Sequence, residues 1–286
     1  MRKYKKGEYR DQFIIAYITD LNDYSDTVQW GIKFCNLLNK GLILLYVCDK
    51  EYTDITSEKA SVILKDINDK LDLPYIHSFA VLKGKTKDII NNLGDLLNGV
   101  IIVSKFYSHH SDINSKKISP VSSKNIFKTF KNSRLAYFIF KHYNDVPFDN
   151  VMLSMNSLKE CKEKILWTSY FGRFANSVIH ICYHRYFDEY LQKQLNLNIG
   201  FARKFFGKFN IKTKNVHFTD KFTDIDIQTV KYANQISGNI CIFQTTKNRS
   251  FIDIITGTQE KRVLQYMDKA PLLFINPRED LFVLCE

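Results

Sequence analysis

"FIIAYITD", residues 13–20, is a short apolar run that ends in a polar residue and leads into an amphipathic segment. A run of the same kind, "DNVMLSMN", occupies residues 149–156. Two further pairs of runs follow in the same order, and we align all three pairs with one offset of 136 residues and no gap. These further pairs are LILLYV (42–47) with VIHICY (178–183) and YFIF (137–140) with LLFIN (272–276). Chance spacing would rarely give this agreement, so the sequence predicts two copies of one domain.

The predicted domains are residues 1–144 and 145–286, joined by the linker "YNDVPFDN" at 143–150. Within each copy, apolar runs of strand length alternate with segments of helical periodicity. Strands that alternate with helices form parallel sheets, because each crossover helix packs back over the sheet with a right-handed sense. The predicted fold class is therefore α/β, with two tandem, doubly wound, parallel five-stranded sheets.

The composition is that of a soluble globular protein, with 286 residues of which 45% are hydrophobic and 25% charged. The longest apolar runs are too short to cross a membrane, and the basic N-terminus has no apolar segment of signal-peptide length. We therefore expect a cytoplasmic protein without membrane contact. The six cysteines include no CxxC pair, so buried reduced thiols are expected. His109, His110 and Asp112 lack a second pair at ligand spacing, so no metal site is predicted.

A formal charge of +11 is spread over both halves and is weak evidence for any partner. The segment 105–134 is rich in lysine and suits either nucleic acid or an acidic partner, but it also fits a solvated lysine face. The segment "FARKFFGKF" at 201–209 has aromatic residues at helical spacing with basic residues between them. Core packing explains the aromatic residues and solvation the basic ones, and one aromatic residue can still lie on a partner surface.

An open parallel sheet binds ligands at the carboxyl ends of its strands, where the strand order reverses. Asp20 and Asn156 follow the first strand of each copy, and we expect them near the start of the last helix. In the second copy, that helix begins at Gly257 and Thr258. Free backbone amides at a helix start can receive a phosphate, although Thr is also an ordinary helix cap. Both interpretations stay open.

These segments resemble the universal stress proteins, here as a tandem pair. "GTQEKRVLQYMDKAPLLFIN" (257–276) looks like the closing segment of that family, and "VMLSMNSLKECKEKILW" (151–167) looks like its opening segment, with Asn156 in place of the usual Asp. "VLKGKTKDII" (81–90) looks like the glycine turn after the third strand. The resemblance implies strand order 3-2-1-4-5 in each of two separate sheets and a pseudo-dimer packed through the last strands. One continuous sheet would contradict this. Residues 279–286 would form an extra strand.

Nucleotide-binding members of the family carry the motif G-x2-G-x9-G-[ST] after the fourth strand. The resemblance places Gln244 and Lys247 at the first two glycine positions, where their side chains would fill space that the phosphates need. Gly257 and Thr258 keep the last two positions. The first copy keeps Asp20 but has Ser119 and Pro120 where its last helix should begin, which is a competent helix start with one amide fewer.

No nucleophile elbow, His and carboxylate pair, or metal cluster is recognisable, so we expect no catalysis. The leading hypothesis is a stress-responsive interaction or signalling protein that binds no cofactor tightly and has an unidentified protein partner. The alternative is a module that binds ATP or AMP at a residual site in the second copy. A third hypothesis is an electrostatic nucleic-acid binder. A homodimer is compatible with each of them.

Overall fold

The computed structural model describes residues 12–107, 119–122, 125–130, 133, 135–145, 147–158, 161–220, 223–236, 240–245 and 259–276. Strands and helices alternate along these residues, as predicted. The strands are β1 (Phe13–Tyr17), β2 (Gly41–Cys48), β3 (His77–Lys83), β4 (Gly99–Lys105), β5 (Ala136–Phe140), β6 (Asn150–Ser154), β7 (Val178–His184), β8 (Thr213–Phe218), β9 (Ile240–Gln244) and β10 (Leu272–Ile275). The helices are α1 (Ser25–Leu38), α2 (Ser57–Asp69), α3 (Thr86–Leu96), α4 (Ile126–Phe130), α5 (Cys161–Phe174), α6 (Glu189–Lys208), α7 (Ile225–Gln235) and α8 (Gln259–Gln265).

The strands form a sheet in the order β3-β2-β1-β4-β5-β10-β9-β6-β7-β8. All neighbours within β1 to β5 and within β6 to β10 are parallel. Each half therefore has the predicted order 3-2-1-4-5. The second and third strands lie on one side of the first strand, and the fourth and fifth lie on its other side. The alternation of strands and helices explains this order, because each helix must cover one face of the sheet.

The two halves join through their last strands into one continuous ten-stranded sheet, where the sequence analysis expected two separate sheets. β5 and β10 pair in antiparallel fashion, with Leu272 opposite Ile139 and Leu273 opposite Phe138. Both strands are buried along their whole length. An unpaired edge there would leave buried backbone N–H and C=O groups without partners, so direct pairing satisfies both edges at once. The strand expected at 279–286 lies outside the described residues.

Helices cover both faces of the sheet and define two apolar cores. One core packs beneath α1, α2, α5 and α6, and the other beneath α3, α4, α7 and α8. The first core crosses the junction between the halves, because the ring of Phe34 on α1 lies 6.2 Å from that of Phe171 on α5 and 5.6 Å from that of Phe148. The aromatic residues that the sequence spreads over both halves therefore stabilise one shared core.

Helix starts are fixed by side chains that the sequence supplies. The hydroxyl of Thr56 accepts the Lys59 N–H at the start of α2, and a carboxylate oxygen of Asp188 accepts the Leu191 N–H at the start of α6. These side chains satisfy amides that have no partner inside the helix. At residues 81–90 the predicted glycine turn is present, since Gly84 has a φ of +142°, which only glycine adopts without strain.

The repeat is present, but its offset is 137 residues in the first two strands of each half, not the 136 residues of the gapless alignment. The Ile18 N–H donates to Leu45 O at 2.9 Å, and 137 residues later the Met155 N–H donates to Cys182 O at 2.8 Å. Ile18 and Met155 both face the core under α1 and α5. Because side chains alternate between the faces of a strand, an error of one residue exchanges the faces.

Among the residues that the structure describes, no helix combines the length and apolarity that a membrane span requires. The described cysteines are all free thiols. Cys285 lies outside the described part of the chain.

Candidate functional site

Each half has a switch point where its first and fourth strands lie side by side. β1 pairs with β4, and β6 pairs with β9. Loops leave the carboxyl ends of these strands toward opposite faces, which opens the crevice where doubly wound sheets bind ligands. Because β5 and β10 are antiparallel, the strands of the two halves point in opposite directions. The two switch points therefore lie at opposite ends of the sheet.

In the first half, a network of charged side chains spans the switch point. Lys105 ends β4, and its Nζ lies 2.8 Å from Asp23 Oδ1 and 3.2 Å from Asp26 Oδ2 at the start of α1. The Tyr107 hydroxyl donates to Asp23 Oδ2 at 3.3 Å. Burial opposes the charge of Lys105, but hydrogen bonds to both carboxylates outweigh burial and raise the pKa of the ammonium group. The ammonium group of Lys105 therefore keeps its charge.

Asp20, the predicted site residue of the first half, is exposed and caps its own turn. Its Oδ1 accepts the Asn22 N–H at 2.8 Å. With the offset of 137 residues, Asn156 corresponds to Thr19, and Asp20 corresponds to Ser157. The sequence analysis paired Asp20 with Asn156, and the register of the strands corrects that pairing by one position.

In the second half, a buried lysine occupies the end of β6. Lys164 on α5 is only 1% exposed, and its Nζ donates to the Ser154 backbone oxygen at 2.7 Å and to the Ser154 hydroxyl at 3.3 Å. The ammonium thus supplies a donor to the last carbonyl of the strand. A buried charge is costly unless it is well bonded, so this lysine holds the crevice in a fixed arrangement.

Asn156 lies beside this lysine and is held by its own chain. Its Oδ1 accepts the Cys161 thiol at 2.7 Å, and its backbone oxygen accepts the Asn198 side-chain amide at 2.9 Å. Burial raises the pKa of Cys161, although Lys164 opposes the shift, so the thiol stays protonated and can donate. The side chain that the sequence assigned to a ligand is thus bonded within the protein.

Gln244 ends β9, next to Ile275 of β10. Its side-chain oxygen is buried and has no hydrogen-bond partner. A buried acceptor without a donor is costly, so this atom is a place where a ligand donor would be favourable. Pairing of β6 with β9 brings Gln244 and Asn156 to the same end of the sheet. Lys247, Gly257 and Thr258, the other predicted residues of this site, lie outside the described residues.

Ser119 and Pro120 form a turn, not the helix start that the sequence analysis expected. The Ser119 hydroxyl accepts the Val121 N–H at 3.1 Å, and α4 begins only at Ile126. Ser119 satisfies an amide two residues on, as serine often does in turns, and this competes with helix capping.

A cleft of about 800 Å³ lies at the ends of β2 and β3. Three of its charged groups, Asp49, Glu58 and Lys83, are bonded to one another or to the backbone. Lys83 pairs with Glu58 at 3.3 Å, and Asp49 Oδ2 accepts the Thr86 N–H at 2.6 Å at the start of α3. Hydrogen bonds from Ser57, the backbone and Lys83 lower the pKa of Glu58 to about 2. The carboxylates of Glu58 and Asp49 thus lie at the N-termini of α2 and α3, the two helices that begin at this cleft.

The lysine-rich segment 105–134 lies largely outside the described residues, and its described member Lys105 is ion-paired. In "FARKFFGKF", Phe206 is fully buried while Phe201 and Phe205 are half-buried, and the basic residues are exposed, as the packing interpretation predicted. His109, His110 and Asp112 fall outside the described residues. Elsewhere in the described chain, no three His, Cys, Asp or Glu side chains group as metal ligands.

No protein-family model matches the sequence, and no curated protein matches it. Solved structures do match. A universal stress protein from Archaeoglobus fulgidus aligns with 93% of this chain and 97% of its own, with a TM-score of 0.63 and 14% identity. A putative universal stress protein from Pseudomonas aeruginosa aligns with 96% of this chain and 95% of its own, with a TM-score of 0.63 and 11% identity. A protein of unknown function from the same species aligns at a TM-score of 0.63 and 10% identity over 96% of this chain and 95% of its own.

The fold and its two switch points are those of a doubly wound α/β protein with two tandem halves. Its architecture over nearly the whole chain is that of the universal stress proteins, as the sequence resemblance implied. At this level of identity the likeness concerns the fold.

Sequence reasoning missed the two lysines that occupy the switch points. Lys105 follows an apolar strand directly, and Asp23 and Asp26 follow the first strand by a few residues. The carboxyl ends of β1 and β4 are neighbours in the sheet. A lysine at the end of one strand and aspartates shortly after the other could therefore have been predicted to form an ion pair. For Lys164, which lies on the buried face of α5, the sequence carried no comparable signal.

Proposed function

We propose that the chain is a stress-responsive interaction or signalling protein that does not bind adenine nucleotides tightly. The observation that carries the proposal is that the chain's own side chains bond to one another at both switch points. The likeness in fold to universal stress proteins supports the stress-related role. The contacts at the switch points support the absence of tight nucleotide binding. The absence of tight binding and of catalysis is part of the proposal.

In the first half, a phosphate would have to approach the carboxylates of Asp23 and Asp26. Both are paired with Lys105, and separating them from it would leave two like charges beside an incoming anion. Close like charges are unfavourable in a partly buried site, where water screens them poorly. The arrangement therefore disfavours a triphosphate at this switch point.

In the second half, the groups at the end of β6 are already bonded. Lys164 donates to Ser154, and Asn156 accepts from Cys161. Recruiting Lys164 to a phosphate would leave the buried Ser154 oxygen without its donor. A phosphate that finds these groups occupied loses about three charge-assisted hydrogen bonds, at roughly 1.5 to 3 kcal/mol each. This loss raises a micromolar dissociation constant for the nucleotide to millimolar or weaker.

The test is to denature the purified protein and analyse the released small molecules by mass spectrometry, with calorimetry of added ATP and AMP on the native protein. We expect no stoichiometric nucleotide and no tight binding. Stoichiometric adenine nucleotide, or a dissociation constant at or below about 10 μM, would contradict the proposal.

One observation favours a second candidate, a residual ATP or AMP site in the second half. The buried side-chain oxygen of Gln244 lacks a donor, and the exocyclic amine of adenine is a donor of suitable chemistry. If calorimetry detects nucleotide, Gly257→Val and Gln244→Leu should each weaken it, and Asp23→Asn in the first half is the matched control. Binding that only Asp23→Asn changes would place the site in the first half instead.

A further inference from the structure

Aromatic side chains form a continuous strip along α5 and α6, in which Trp167, Phe201 and Phe205 also pack against the core. They recur at positions i, i+3 and i+7 on α5 and at i, i+4 and i+8 along α6, so each set lies on one side of its helix. We call the set the aromatic strip: Trp167, Tyr170, Phe174, Phe201, Phe205 and Phe209.

Arg173 joins the parts of the strip that belong to the two helices. Its guanidinium lies 5.0 Å from the ring centre of Phe174 and 4.5 Å from that of Phe209, which follows the last residue of α6. Along α6, the ring of Phe205 lies 5.3 Å from Phe209 and 5.9 Å from Phe201. The contacts run without interruption from one helix to the other, so the strip borders the groove between them.

Much of the strip is exposed. Phe174 is 53% exposed, Phe209 41% and Tyr170 37%. The corresponding helices of the first half, α1 and α2, have one large apolar side chain that is this exposed among the described residues, Val62 on α2. The fold therefore does not require aromatic exposure at this face. Contiguous exposed apolar area on a soluble protein marks an interaction surface.

The surroundings of the strip are basic. Between Glu163 and Asp220 the sequence contains two acidic residues, Asp188 and Glu189, and both lie at the start of α6, away from its aromatic end. The exposed basic residues around the strip are Arg173, Lys204, Lys208 and Lys212. Charge complementarity across an interface favours a partner of opposite sign.

We propose that the aromatic strip and its basic surroundings bind an acidic amphipathic helix of a partner protein. The inference rests on the interaction function proposed above and names the class of partner. Two parallel helices leave a groove between them that accepts a third helix, whose apolar side chains contact the strip while its acidic side chains meet the arginine and lysine residues. The aromatic residues supply contact area and the basic residues set the orientation.

Nucleic acid fits this surface less well, because bases bind aromatic residues by stacking on free ring faces. Here the rings already cover one another. Tyr170 stacks on Phe174 with the rings 11° from parallel, and Phe201 stacks on Phe205 at 14°. The guanidinium of Arg173 covers the ring of Phe174 further. A second copy of the chain fits less well too, because a two-fold contact through this face would bring like charges together.

The experiment uses fluorescence anisotropy of the full chain with a labelled synthetic helix about 15 residues long, with Leu and Phe on one face and Glu on the other. Comparison probes are a scrambled peptide of the same composition, the same helix with Lys for Glu, a thymidine oligonucleotide and phosphatidylserine vesicles. One variant is Phe174→Ser with Phe209→Ser, and a second is Lys204→Glu with Lys208→Glu. The matched control on α2 is Val62→Ser with Lys65→Glu. Circular dichroism confirms that each variant is folded.

We expect each variant on the strip to weaken binding of the acidic helix at least about tenfold, with the α2 control unchanged and added salt weakening binding further. Equal binding of the scrambled or lysine peptide overturns the proposal, as does unchanged binding in both strip variants. Tighter binding of the oligonucleotide or vesicles at this face overturns it too. So does a wild-type dimer that sedimentation shows to be lost in the strip variants. The nucleotide assay is independent of these outcomes: bound ATP would refute the proposed function, while loss of peptide binding in the strip variants would still support this surface.

Discussion

The side-chain amide of Asn276 donates a hydrogen bond to the backbone oxygen of Ser133 at 2.7 Å, and this contact connects the two halves of the chain. Asn276 follows β10 in the second half, and Ser133 follows α4 in the first. The same amide donates to Phe130 O at 3.0 Å, while the Thr245 hydroxyl donates to Asn276 Oδ1 at 2.6 Å and fixes its orientation. One buried side chain therefore satisfies two carbonyls at the end of a helix in the other half.

Asn276→Ala should lower the free energy of unfolding by about 2 to 3 kcal/mol. The buried Ser133 oxygen would lose this donor, the Phe130 oxygen would keep only the Ser133 N–H, and the Thr245 hydroxyl would lose its acceptor. Urea denaturation followed by circular dichroism measures the change. Asn92→Ala, which removes an exposed bond to Asp88 O within α3, is the control and should cost less than about 0.5 kcal/mol. Equal effects of both variants would show that the contact between the halves contributes nothing special.

Gly172→Ala should destabilise the protein by about 1 to 3 kcal/mol. A methyl group at this position of α5 would overlap the side chain of Ile211, which packs directly against the helix. Gly200 on α6 is the opposite case, because nothing lies near the position of an added methyl group. Gly200→Ala should stabilise by about 0.5 to 1 kcal/mol through helix propensity. Thermal denaturation of the two variants should therefore move in opposite directions, and movement in the same direction would refute the packing argument.

Lys105→Met should destabilise the folded state by about 1 to 3 kcal/mol at neutral pH. The variant keeps most of the apolar stem but leaves Asp23 and Asp26 without their shared cation. Lys70→Met tests an ion pair with Asp66 in which both side chains are largely exposed, and it should change stability by less than about 0.5 kcal/mol. Urea denaturation at pH 7 compares them. A small effect of Lys105→Met would mean that water enters the switch point and screens the carboxylates.

Stability should fall on acidification because of His180, which is buried and bonded to Tyr232 and Asn150. Burial lowers the pKa of this imidazole, and nearby Lys214 lowers it further. The unfolded chain takes up the proton at about pH 6.5, above the folded pKa, so stability is complete above that pH and declines below it. The slope is at most about 1.4 kcal/mol per pH unit for this one proton. The decline ends once the pH is below the folded pKa.

His180→Gln should remove this part of the pH dependence, since an amide can bond to both partners without titrating. Urea denaturation of wild type and variant at several values between about pH 7.5 and 5 measures the difference. Identical slopes in the two proteins would assign the acid sensitivity to other groups.

The architecture could be predicted because its cause is local and periodic. Alternating apolar runs and amphipathic helices impose parallel pairing, and the order around β1 and β4 follows from the crossovers. The junction could not be predicted in the same way. Whether β5 and β10 form a direct pair or pack as separate edges depends on backbone groups that sequence patterns do not reveal.

The positions of the predicted site residues can be compared with the structure, while their role as a binding site stays a prediction. Asn156 and Gln244 do lie at one switch point, yet a gapless alignment misplaced Asp20 by one residue, and a single residue changes the face of a strand. The burial of Lys164 could not be foreseen, because lysine is rarely buried and its partner is a backbone oxygen. Such a contact depends on how α5 packs against β6, which no local spacing encodes.

The antiparallel joint between β5 and β10 also bears on how the chain is made. At about 5 to 20 residues per second, the ribosome needs roughly 10 to 30 s to add the second half after the first has been synthesised. Throughout that time β5 has no neighbour on its outer side, although all of its residues are buried in the finished protein. The outer edge of β5 in the nascent first half therefore stays unpaired for many times longer than a domain of this kind takes to fold. Once β10 has been synthesised, its pairing with β5 covers this edge.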